Sequence, residues 1–187
     1  MSATPSTMMP LGTIAPDFNL PDTISGTNKS LAELKGKQGT LVMFICNHCP
    51  YVIHIKDQLI DIANHYATLG INTIAISAND VENYPQDAPE KMTELMNDWG
   101  NPFAGYLYDE SQDTAKAYLA ACTPDIYLFD GELNCVYRGR LDGATPKNDV
   151  PLTGEDLRNA MENLVNNQAF SDEQIPSIGC NIKWKNT

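Results

Sequence analysis

The chain has 187 residues, 42% hydrophobic and 19% charged, which suits a globule with one core. A formal net charge of -12 excludes nucleic-acid backbones and anionic membrane surfaces as partners, since both would repel it. No stretch approaches the roughly 20 apolar residues of a membrane span, and the first residues lack the basic and apolar runs of a signal peptide, so the expected compartment is the cytoplasm.

Residues 1–10, rich in Ser, Thr, Pro and Met, read as a disordered arm preceding a domain at 11–170 and a tail at 171–187. Asp17 to Pro21 alternates as a short strand does. Ser30 and Glu33 form a capping-box pattern for a brief helix ending before Gly36. Leu41 to Ile45 is continuously apolar, as in a strand buried on both faces. From Pro50, apolar residues at Val52, Ile55, Leu59, Ile62, Ala63 and Tyr66 mark an amphipathic helix that Gly70 stops. Ile71 to Ser77 reads as a second buried strand. A helix with the stripe Met92, Leu95, Met96 and Trp99 follows, opened by Asp87, Pro89 and Glu90. A short strand is expected in 103–108, and a helix capped by Ser111 and Asp113 reaches Leu119. Ile126 to Phe129, the Asp130-Gly131 turn and Cys135 to Arg140 form a hairpin, and Thr153 and Asp156 cap the last helix. The tail has no clear regular structure. This alternation predicts an α/β fold: a mostly parallel sheet, made mixed by the late hairpin.

The five cysteines, Cys46, Cys49, Cys122, Cys135 and Cys180, are odd in number and irregularly spaced, unlike a secreted disulfide framework. Cys46-Asn47-His48-Cys49 stands between a buried strand and a helix. A helix N-terminus presents free N–H groups and partial positive charge, which favour a thiolate. Protonated His48 adds to that effect. Cys46, at the start of the helix with an exposed sulfur, is the expected nucleophile; Cys49, one turn in and buried, is the expected resolving thiol. Thr123-Pro124 precedes a strand, where a proline is sterically allowed. Cys122 lies beside it, and Cys180 sits in the tail; both are further redox candidates. Cys135 reads as structural, and His54 and His65 as surface or satisfied helix residues.

Gly12-x-x-Ala15-Pro16-Asp17-Phe18, Cys46-x-x-Cys49 and Thr123-Pro124 together resemble the redoxin branch of the thioredoxin superfamily, over about Leu11 to Asn167. The resemblance is closest to the peroxiredoxin-like (AhpC/TSA-related) thioredoxin-domain group, on Cys46 to Val52 and on the tail from Pro176 to Lys185. It implies a thioredoxin fold with redoxin-type N-terminal additions. It also implies a cis Pro124 packed on the cysteine pair, and a Thr123 backbone that binds an extended substrate strand. The chain departs from peroxiredoxins, which carry a hydroxyl residue three positions before the peroxidatic cysteine. Met43 and Cys46 occupy that position for Cys46 and Cys49 respectively. The peroxiredoxin arginine shortly before the Pro124 strand is also missing.

The expected function is thiol–disulfide oxidoreduction by Cys46 and Cys49 on protein or small-molecule disulfides, with an external thiol reductant as partner. No bound cofactor is implied, because the cysteines carry the two electrons. A thiol peroxidase using Cys46 is the alternative. A metal-binding thiol module is a second alternative, disfavoured because no second C-x-x-C completes a four-ligand zinc site.

Overall fold

The structure, a computed structural model, describes residues 3–186. In chain order the elements are β1 (Ala3–Pro5), β2 (Asn19–Pro21), β3 (Asn28–Ser30), α1 (Leu31–Leu34), β4 (Gly39–Phe44), α2 (Pro50–Ala67) and β5 (Ile71–Ser77). A 3-10 turn at Pro85–Asp87 leads into α3 (Pro89–Asp98). Then come β6 (Gly105–Tyr108), α4 (Asp113–Ala117), β7 (Cys122–Thr123), β8 (Asp125–Asp130), β9 (Cys135–Arg138), α5 (Glu155–Val165) and β10 (Ile178–Asn181).

The central sheet runs β6-β5-β4-β8-β9. β4 lies parallel to β5 and antiparallel to β8, so its six residues are all buried, as the apolar run predicts. β5–β6 is parallel and β8–β9 antiparallel, which gives the expected mixed sheet. Successive β4 side chains enter opposite cores. Leu41 and Met43 pack with Val52, Leu59 and Ile62 of α2 and with Leu157 and Met161 of α5. Val42 and Phe44 pack with Leu31, Ala115 and Tyr118 on the other face. Each such side chain, fully buried, contributes about 1.5–3 kcal/mol.

Local signals place most helix ends. Ser30 Oγ accepts the Glu33 N–H while Glu33 accepts the Ser30 N–H, closing the capping box. Pro50 takes the first position of α2, where its missing N–H costs nothing. Two helix starts differ from expectation. Left-handed Gln112 and Gly154 are the N-caps of α4 and α5. Ser111 and Thr153 hydroxyls still accept the Asp113 and Glu155 N–H groups, whereas Asp156 turns to Arg140 at 2.6 Å.

Both chain ends overturn the sequence reading where the structure describes them. Residues 3–10 are not a disordered arm: β1 pairs antiparallel with β10, and Met9 is buried. The tail is not irregular: β10 is the middle strand of a second sheet, β1-β10-β7. These segments lack periodicity because each strand spans only three or four residues and takes its partner from the far end of the chain. Arg138 ties them down further, donating from Nε to Met9 O at 2.7 Å and from Nη1 to Gln174 Oε1 at 2.8 Å. Among the described residues, no helix is long and apolar enough to cross a membrane.

Candidate active site

The loop from β4 to α2 carries the cysteine motif out of the sheet centre. Cys49 is the N-cap of α2, and Cys46 lies three residues before it. Asn47 fixes the loop: its N–H donates to Asp87 Oδ1 at 2.9 Å and its Nδ2 to Gln86 O at 3.0 Å, while Tyr106 Oη donates to Asn47 Oδ1 at 3.0 Å. The helix thus begins at Pro50. This corrects two expectations: Cys49 caps the helix instead of lying one turn inside it, and Cys46 is buried, at 1% exposure.

Cys46 and Cys49 influence each other's ionisation directly. Cys46 Sγ also lies 3.6 Å from Thr123 Oγ1 and 3.9 Å from His48 Nδ1. Cys49 Sγ is 3.0 Å from Thr123 O and 3.0 Å from Cys180 Sγ. The neighbouring thiols, Cys46 and then Cys180, hold Cys49 below the usual thiol range. The neighbouring Cys49, burial and the Asp87 carboxylate push Cys46 up. Cys49 donates to Thr123 O, while Cys46 faces a carboxylate.

His48 is drawn into this arrangement through Asp87. Its Nδ1 lies 2.7 Å from Asp87 Oδ2, and its ring stacks on Tyr84 with centroids 5.8 Å apart. Asp87 is fully buried and also accepts from Asn79 Nδ2 at 2.8 Å. The sequence reading treats Asp87 only as a helix opener; nothing in its local pattern marks it as a neighbour of Cys46. Donor atoms of Cys46, His48 and Asp87 lie within 4.8 Å of one another, the one group among the described residues with metal-ligand spacing.

Thr123 and Pro124 reach the pair as expected, and their peptide bond is cis. The edge expected to receive a substrate strand is occupied, however. β10 pairs antiparallel with β7, with Cys180 opposite Thr123. Gly179 makes this approach feasible: a Cβ there would stand 2.0 Å from Thr123 O. The segment beyond is stapled by Lys183 N–H to Asn79 Oδ1 at 2.9 Å and Gln112 Nε2 to Lys183 O at 2.9 Å. Cys180 is consequently buried, not mobile. Cys122 is buried beside the site with Sγ 3.5 Å from Pro124 O, and burial, then Asp125, push its thiol up. Cys135 packs in the opposite core, in keeping with a structural role.

Residues 11–138 match the model of the AhpC/TSA family. No curated protein matches the chain. Among solved structures, an uncharacterized conserved protein from Geobacillus kaustophilus is 49% identical with a TM-score of 0.97, covering 100% of this chain and 98% of its own. A hypothetical protein from Sinorhizobium meliloti 1021 is 43% identical with a TM-score of 0.93, covering 97% of this chain and 98% of its own. The thioredoxin domain of a thiol-disulfide oxidoreductase from Bacteroides vulgatus is 22% identical with a TM-score of 0.65, covering 85% of this chain and 100% of its own, a likeness of fold. With the thioredoxin fold and the family match agreeing, the chain belongs to the AhpC/TSA family and is an oxidoreductase of the redoxin branch of the thioredoxin superfamily.

Proposed function

We propose that this redoxin is a thiol–disulfide oxidoreductase whose working pair is Cys46 and Cys49. The observation that carries the reading is the convergence of both cysteines on Thr123 at the head of α2, with Cys46 Sγ 3.6 Å from Thr123 Oγ1 and Cys49 Sγ 3.0 Å from Thr123 O. Cys46 lies on the side of half-buried His48, whereas Cys49 is enclosed by Cys46, Thr123 and Cys180. Cys46 therefore attacks the substrate disulfide, forming a mixed disulfide and releasing one substrate thiolate. Cys49 attacks Cys46 Sγ, releases the second thiol and leaves a Cys46–Cys49 disulfide. An external thiol reductant returns two electrons. A reducing compartment such as the cytoplasm suits this direction.

With β10 on the Thr123 edge, the reading favours small or flexible disulfides over an added substrate strand. A cleft of about 250 Å³ lies on the Tyr51 and Pro124 side of the motif, lined also by Arg140 and Ile178 and by neither cysteine of the pair.

The thiol-peroxidase reading gains one feature. Thr123 Oγ1 supplies, from another strand, the hydroxyl that the sequence around Cys46 lacks. It still lacks a cation. All three arginines are engaged elsewhere: Arg138 with Met9 and Gln174, Arg140 with Asp156, Arg158 with Asp61. Insulin reduction driven by a dithiol, run beside hydrogen peroxide consumption, separates the two. The expected result is insulin reduction that Cys46→Ser abolishes, with peroxide loss no faster than in that variant. Fast peroxide loss without insulin reduction refutes the proposal.

A further inference from the structure

Three cysteines, not two, meet at this site. Cys49, the partner of Cys46 in the motif, has its Sγ 3.0 Å from Cys180 Sγ. A disulfide bond measures about 2.05 Å, so the two sulfurs need close by only about 1 Å. This contact is built, not incidental. Cys180 belongs to the middle strand of the β1-β10-β7 sheet, paired with Ala3 on one side and Thr123 on the other. Gly179 brings that strand against the Thr123–Pro124 peptide, where any side chain would collide with Thr123 O.

Resting on the Cys46–Cys49 reading, we propose that Cys180 is a third redox residue that takes over the disulfide from that pair. The Cys180 thiolate attacks Cys49 Sγ. The Cys49–Cys180 bond forms, the Cys46–Cys49 bond breaks, and Cys46 leaves as a thiolate that takes up the proton Cys180 gave to solvent. No electrons enter or leave, so the protein stays two-electron oxidised while its attacking cysteine is free again. The external thiol reductant then cleaves Cys49–Cys180.

The charges suit this order. In the reduced protein, burial and then the neighbouring Cys49 push Cys180 up to about 12, which keeps it protonated. Once Cys49 is in a disulfide it no longer raises Cys180, while the nearby Lys183 still favours a Cys180 thiolate. Cys122 is a poorer acceptor. Its thiol is turned to Pro124 O and faces the Asp125 carboxylate.

The test is a time course after one equivalent of a low-molecular-weight disulfide, quenched with acid, alkylated and mapped by mass spectrometry. The expected sequence is Cys46–Cys49 first, then Cys49–Cys180 as the dominant species, with Cys46 alkylatable again. Cys180→Ser should stop at Cys46–Cys49 and keep Cys46 protected. Gly179→Val, which pushes β10 off Thr123, should do the same with Cys180 still present. If the wild type stays at Cys46–Cys49 while reducing insulin, the relay is wrong and the oxidoreductase reading stands. If no Cys46–Cys49 disulfide forms even in Cys180→Ser and insulin is not reduced, the underlying reading fails with it.

Discussion

Asp87→Asn tests the electrostatics of the site most directly. The Asp87 carboxylate and Cys46 Sγ lie within 4.8 Å, both are buried, and the carboxylate opposes ionisation of the thiol. Two unit charges at that distance, with an effective dielectric constant of about 20, repel by about 3 kcal/mol, or roughly two pH units in the thiol's midpoint. Asparagine removes the charge and keeps one carbonyl, enough to accept the Asn47 N–H that holds the loop. It loses acceptance from Asn79 or His48, so a stability loss of about 1–3 kcal/mol should accompany the change. The assay is iodoacetamide labelling of Cys46 against pH, resolved from Cys49 by fragment-ion mass spectrometry. The midpoint for Cys46 should fall by up to about two pH units, with faster labelling near neutrality. An unchanged or higher midpoint in a folded variant would refute the reasoning and mean that His48 already cancels the Asp87 charge.

His48→Ala should act in the opposite direction, leaving Asp87 facing Cys46 with no imidazole between them: slower labelling and a lower reduction potential, measured against glutathione, are expected together. Cys49→Ser should accumulate mixed disulfides on Cys46, because the sulfur that Cys180 meets at 3.0 Å is that of Cys49; wild-type turnover in that variant would show that another thiol resolves. Arg138→Ala should release both chain ends from β9. Its signature is faster proteolytic cutting near residues 6–14 and 170–176, with a loss of about 1–3 kcal/mol in urea unfolding. Equal cutting rates in the two proteins would mean that β1 and β10 hold without it.

The strand–motif–helix unit, the capping box at Ser30 and Glu33, the α2 stripe and the β8–β9 hairpin are all legible in the sequence. Their signals lie within one turn, one period or one hairpin, so each segment carries its own instruction. The cysteine pair is legible for the same reason. Its environment is not. The Asp87 carboxylate that raises Cys46 is 40 residues from Asn47, the loop residue it anchors. The Cys180 sulfur that meets Cys49 is 131 residues away. Composition and periodicity place neither contact, because each depends on strand register and on how closely two backbones pack. Gly179 stands in the sequence as one more tail glycine; only its position against Thr123 O explains how β10 closes over the site. The burial of Cys46 belongs to the same class, in a loop where Asn47 binds the turn at 85–87. The sequence by itself determined the fold class and the C-x-x-C pair between β4 and α2, while tertiary packing decided which groups surround that pair, since charge and access at a buried sulfur are set by neighbours from distant parts of the chain.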